Sequence, residues 1–140
     1  MGVLRKVFGI LTCAAILSAA GCGLLENSTS PTTPEAPTEA FSGTLVLQGS
    51  SFFTFTVSQA GTISVTLATL TPSPTAGVGL GVGTPSGTTG CTLTSSTPNA
   101  SAGSAAQITI TGTPGTYCVK VYDTGNLTTA ASFTINITHS

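Results

Sequence analysis

Charge is what this 140-residue chain has least of: Lys and Arg together number 3, Asp and Glu 4, His 1, so that charged residues make up 5 % of it, against about 25 % in an ordinary domain. Three cations cannot neutralise a run of phosphates, which excludes nucleic acid as a partner. So few Glu and Lys residues exclude a coiled coil, and 40 % apolar residues exclude a charged disordered chain. Tryptophan is absent and tyrosine occurs twice, leaving little aromatic area for stacking on sugars or bases. No stretch of the C-terminal hundred residues repeats apolar side chains at the three- and four-residue spacing of a helix.

The same scarcity limits catalysis. A nucleophilic hydrolase needs a base beside its nucleophile, and the one histidine is His139, next to the last residue, where chains are commonly loose. After Glu39 the only acid is Asp123, so the paired carboxylates of a glycosidase are missing, as is the oxygen cluster of a calcium site. Gly79-Leu80-Gly81-Val82-Gly83 precedes no helical pattern and gives a phosphate no helix terminus to bind. The reading is therefore no enzyme, no metal and no cofactor.

What the chain does have begins with an export segment. Arg5 and Lys6 precede an apolar run from Val7 to Ala20, about 14 residues where a bilayer-spanning helix needs roughly 20. The ending Ser18-Ala19-Ala20-Gly21-Cys22 resembles the bacterial lipobox, with Ala19 where that pattern favours Leu. The resemblance implies a lipoprotein signal peptide over residues 1–21 and a diacylglyceryl group on Cys22. Several acyl chains exceed what stable anchoring requires. Gly23 in place of Asp implies an outer rather than inner membrane in a Gram-negative envelope. The alternatives are an ordinary secretory signal cut near Ala20, with Cys22 free or paired, and a retained anchor.

Glu26 to Ala40 carries Pro31, Pro34 and Pro37 among Thr, Ser and Glu, a composition that cannot bury a core. Such segments favour extended polyproline-like conformations and would hold a domain about 40 Å from the lipid. Residues 22–40 thus read as a lipidated Cys and a disordered linker.

Residues 41–140 change character to short runs of period two separated by turn residues. The runs are Thr44–Leu47, Phe53–Val57, Thr62–Leu67, Val78–Val82, Cys91–Thr94, Ile108–Thr111, Tyr117–Tyr122 and Phe133–Ile137. Eight such strands, each with an apolar row and a hydroxyl row, predict an all-β fold: an antiparallel β-sandwich, jelly-roll-like. The alternate glycines from Gly77 to Gly83 call for a close neighbour, either an aromatic ring such as Phe52 or Tyr122 or a ligand groove. Once Cys13 leaves with the signal and Cys22 takes lipid, Cys91 and Cys118 remain, an even pair that in an exported domain predicts a disulfide.

Phe53-Thr54-Phe55-Thr56-Val57-Ser58-Gln59-Ala60-Gly61, then Ile63-Ser64-Val65-Thr66-Leu67 and Gly115-Thr116-Tyr117-Cys118-Val119-Lys120-Val121-Tyr122, resemble the bacterial pre-peptidase C-terminal domain. The resemblance covers about residues 41 to 138 and implies a β-sandwich accessory module. The acidic strand frequent in that family is replaced here by Val78-Gly79-Leu80-Gly81-Val82.

Two surfaces remain as binding candidates. Tyr122, Asp123 and Asn126 combine an aromatic face with polar neighbours suited to a sugar, although a turn in which Asp123 bonds backbone amides and Gly125 takes positive φ accounts for the same residues. The outward rows containing Thr54 and Thr56, Thr62 and Thr66, and Thr109 and Thr111 could form hydroxyl ladders, or simply be good strand residues. The expectation is a non-enzymatic, lipid-anchored protein of the cell envelope with a binding or scaffolding module. Its partners would be membrane lipid through Cys22 and an envelope protein or polysaccharide. The alternatives are a lectin-like polysaccharide binder and an accessory to a separate secreted peptidase.

Overall fold

A computed structural model describes residues 35–140. The export segment, Cys13, Cys22 and the linker up to residue 34 lie outside the described residues. Eight strands follow one another without a helix among the described residues: β1 Thr38–Leu45, β2 Ser50–Val57, β3 Gly61–Thr71, β4 Val78–Ser86, β5 Gly90–Ala100, β6 Ile108–Gly112, β7 Gly115–Tyr122 and β8 Ala131–Thr138. They form two antiparallel four-stranded sheets with orders β1-β8-β3-β6 and β2-β7-β4-β5.

The first strand pairs with the last, the second with the seventh, the third with the sixth and the fourth with the fifth. The chain is thus one long hairpin, turned at residues 87–89 and rolled into two layers, which is the jelly-roll arrangement.

Period-two patterning places the core. In β3, Ile63, Val65 and Leu67 are fully buried while Thr62, Ser64 and Thr66 face outward. Val119 and Val121 of β7 and Phe133, Ile135 and Ile137 of β8 supply facing rows, each large side chain contributing about 1.5–3 kcal/mol by leaving water. β3 runs four residues past the predicted end at Leu67 because its register shifts between Leu67 and Thr69. The extra residue, Ala68, lets Leu70 also turn inward, as a β-bulge does.

β4 and β5 likewise run four and six residues past the predicted ends at Val82 and Thr94, and both ends of β1 differ from the sequence expectation. β1 begins at Thr38, inside the stretch read as linker, because Thr38, Glu39 and Ala40 pair with Thr138, Ile137 and Asn136. It also ends at Leu45: Val46 and Leu47, read as strand, sit in the β1–β2 connection at 56 % and 50 % exposure. There Gln48 adopts φ 54°, a left-handed conformation that breaks the alternation.

Cys91 and Cys118 form the expected disulfide, with Cα atoms 5.9 Å apart. It ties β5 to β7, the two neighbours of β4. Closing a loop of 27 residues stabilises by about 3.5 kcal/mol in the chain-entropy description.

The C-terminus is not loose. His139 is 4 % exposed, its ring lies 5.5 Å from that of Phe55, and its Nε2 is 2.8 Å from Glu39 Oε1. The Ser140 carbonyl accepts the amides of Ser58 and Gln59, so the last residues close the end of the sandwich at which β1 starts.

Candidate functional site

Strand polarity gathers the β1–β2, β3–β4, β5–β6 and β7–β8 connections at one end of the sandwich, opposite the end at which residues 35–37 lead into β1. Tyr122, Asp123 and Asn126 lie at this loop end, and the structure does bring them together. Asp123 Oδ2 accepts the amide of Gln48 at 2.8 Å, and Oδ1 accepts the amides of Gly125, Asn126 and Leu127 at 2.8, 2.9 and 3.1 Å. The carboxylate thus accepts four backbone amides, three of them on one oxygen. These bonds, that from Gln48 foremost, outweigh desolvation and hold the carboxyl below the usual carboxylate range. Gly125 takes φ 93°, as the turn account requires.

Asn126 is similarly engaged. Its Nδ2 donates to the Gly77 carbonyl at 3.1 Å and to Thr124 Oγ1 at 2.8 Å. Asp123 and Asn126 therefore fasten the β1–β2 and β3–β4 connections to the loop that follows β7.

Tyr122 accounts for the first of the strand glycines. Gly79 is its cross-strand partner, and the ring lies so close over it that a Cβ there would collide with the ring atoms. Gly81 is covered by Leu93 and Gly83 by the backbone of Thr92. The glycine row thus accommodates neighbours from the chain itself. Lys120 Nζ stands 5.8 Å from the centre of the Tyr122 ring. Tyr122, Leu93 and the disulfide all lie on the outer face of the β2-β7-β4-β5 sheet.

The outer face of the other sheet is open. The register sets Thr38, Thr138, Ser64 and Thr109 in one row across β1, β8, β3 and β6. The next row holds Ala40, Asn136 and Thr66, and Ser42, Thr134 and Thr69 form another. Thr38 and Thr138 are joined by a hydroxyl–hydroxyl bond of 3.0 Å, Ser42 and Thr134 by one of 2.9 Å. No Asp, Glu, Lys or Arg projects from these rows. Thr62, Thr66, Thr109 and Thr111 share this face, whereas Thr54 and Thr56 belong to the other sheet.

The β5–β6 connection walls this face. β6 pairs with β3 only as far as Val65, and residues 101–107 take over the exposed edge beyond it. Gly103 N donates to the Leu67 carbonyl at 3.0 Å and Gln107 N to that of Val65 at 3.0 Å. The Gln107 side chain completes the attachment, its Oε1 accepting Leu67 N at 2.7 Å and its Nε2 donating to the Ser101 carbonyl at 2.9 Å. Between this wall and β1 lies a groove of about 530 Å³ lined by Thr38, Thr66, Ala68, Gly103, Ser104, Asn136 and Thr138.

The contribution of β1 and β8 to this surface was missed in the sequence. The signal was present in the polar positions of Ser132-Phe133-Thr134-Ile135-Asn136-Ile137-Thr138, but their neighbours lie a hundred residues away. Among the described residues no three His, Cys, Asp or Glu side chains converge as metal ligands.

No protein-family model matches the sequence, and no curated protein matches it. Among solved structures, the chain is similar to the Yersinia pseudotuberculosis-derived mitogen, at 12 % identity and a TM-score of 0.49, over 75 % of this chain and 87 % of the mitogen chain.

Proposed function

We propose that this chain is a non-enzymatic, lipid-anchored protein of the bacterial cell envelope whose jelly-roll domain serves as a binding or scaffolding module. One observation carries the reading: the domain presents an open, uncharged face, while its few chemistry-bearing side chains are engaged in holding structure. Asp123 is taken up by four backbone amides, His139 by Glu39 and Phe55, and Cys91 by Cys118.

The anchor rests on the lipobox-like Ser18-Ala19-Ala20-Gly21-Cys22. Residues 35–37 lead into the domain at the end opposite the Asp123 loops, an arrangement suited to presenting the sandwich away from a membrane. The resemblance to the pre-peptidase C-terminal domain supports a second reading, an accessory to a separately encoded peptidase.

The test is metabolic labelling with a radioactive or alkyne-bearing fatty acid in a bacterial host, followed by membrane fractionation. The parent chain is expected to take up label and sediment with membranes, and Cys22→Ser to do neither. Label retained by Cys22→Ser, or an unlabelled parent in the soluble fraction, removes the lipid anchor. Capture from a detergent-solubilised envelope, analysed for proteins and glycans, then separates the two readings, a peptidase recovered with the chain favouring the accessory role.

A further inference from the structure

We propose that the outer face of the β1-β8-β3-β6 sheet binds an uncharged polysaccharide, with the groove over Asn136 at its centre. The proposal deepens the binding-module reading and rests on it.

The ligand class follows from what the face offers. Its hydroxyls and one carboxamide donate and accept hydrogen bonds without carrying charge. An ionic ligand would find no counter-charge there, and an apolar one would have to strip water from the hydroxyls with nothing to replace it. An uncharged, hydroxyl-bearing chain can exchange those waters for equivalent bonds.

Asn136 marks the centre because strand preference does not explain it. Asn is disfavoured in strands, yet it stands between Ile135 and Ile137 in β8, an interior strand of the sheet. It is half-buried on the groove floor, and its carboxamide makes no hydrogen bond to another described residue. Two donors and an acceptor are therefore available to a ligand. The neighbouring amide side chain of Gln107 is occupied by Leu67 and Ser101.

Shape selects a chain over a single sugar. The groove crosses β1, β8 and β3 to the wall at Gly103 and Ser104, about three strand spacings of 4.8 Å, or some 14 Å. That is longer than one sugar ring. β-branched Thr residues are stiff about χ1, and the Thr38–Thr138 bond further limits what must be ordered on binding.

The experiment uses the full chain, purified in detergent from whichever cell fraction holds it, so that its result does not depend on lipidation. Retention is measured on insoluble cellulose and chitin and in gels containing mixed-linkage β-glucan, dextran or mannan, with dextran sulfate as the charged comparison. Retention by at least one neutral polymer is expected. Asn136→Ala combined with Thr66→Val should weaken it roughly tenfold, the loss of one or two net hydrogen bonds. Ser104→Lys, a change on an exposed loop that leaves the core untouched, should also weaken it, and Thr54→Val with Thr56→Val on the opposite sheet should not. Thermal unfolding of each variant establishes that it is folded. No retention by any neutral polymer, retention unchanged by the groove variants, or arrest of ice growth without glycan binding overturns the proposal. Each of these leaves the fatty-acid labelling result intact.

Discussion

Asp123 and Gln48, 75 residues apart in the chain, are joined by a 2.8 Å hydrogen bond from the Gln48 amide to Asp123 Oδ2. This bond couples the β1–β2 connection to the turn after β7, whose three amides bind the other carboxylate oxygen. Gln48 sits there with positive φ, a conformation that a non-glycine residue holds only when its surroundings enforce it.

Asp123→Ala should therefore lower the midpoint of thermal unfolding more than Asp123→Asn, which keeps one acceptor oxygen. The folded-state carboxyl ionises below its ordinary range, so its contribution to stability is complete above about pH 4 and fades as pH falls through the depressed value. Midpoints recorded from neutral to acidic pH should show a steeper acid decline for the parent than for Asp123→Asn. Parallel declines would assign the acid sensitivity to another group.

Gly79→Ala places a methyl group into the ring of Tyr122. Overpacking of this kind costs about 1–3 kcal/mol. Tyr122→Ala in the same chain removes the collision, so a double-mutant cycle by urea unfolding should show the second change recovering part of the loss caused by the first. Additive losses would mean that the ring swings away freely and that the glycine has another cause.

Replacing both Cys91 and Cys118 by Ala should lower unfolding free energy by about 3.5 kcal/mol, the loop-closure contribution. Cys118 is fully buried, so Ser at that position should be worse than Ala by leaving a hydroxyl without a partner. Denaturant titrations of the oxidised parent and the variants measure both differences.

A chain shortened to begin at Phe41 loses the Thr38–Thr138 and Glu39–His139 contacts and uncovers the His139 ring. It is expected to unfold at lower urea concentration than one beginning at Glu35, with faster amide exchange in the last residues of β8. Equal midpoints would show that residues 38–40 add nothing to the folded domain.

What the sequence determined by itself is local. Alternation of β-branched or aromatic residues with Thr and Ser is a property of adjacent positions, and it yielded eight strands and their inward rows, while the count of cysteines left in an exported domain yielded the pairing of Cys91 with Cys118. It failed at Val46-Leu47, an apolar pair read as strand, because the carboxylate that bends the chain there comes from Asp123. It failed again at Thr38–Ala40, whose linker-like composition is overridden by pairing with β8. Only the tertiary structure decided which hydroxyl rows meet. Thr38, Asn136 and Thr66 become one surface through backbone hydrogen bonds between strands far apart in the chain, and that long-range register leaves no mark in the spacing of neighbouring residues.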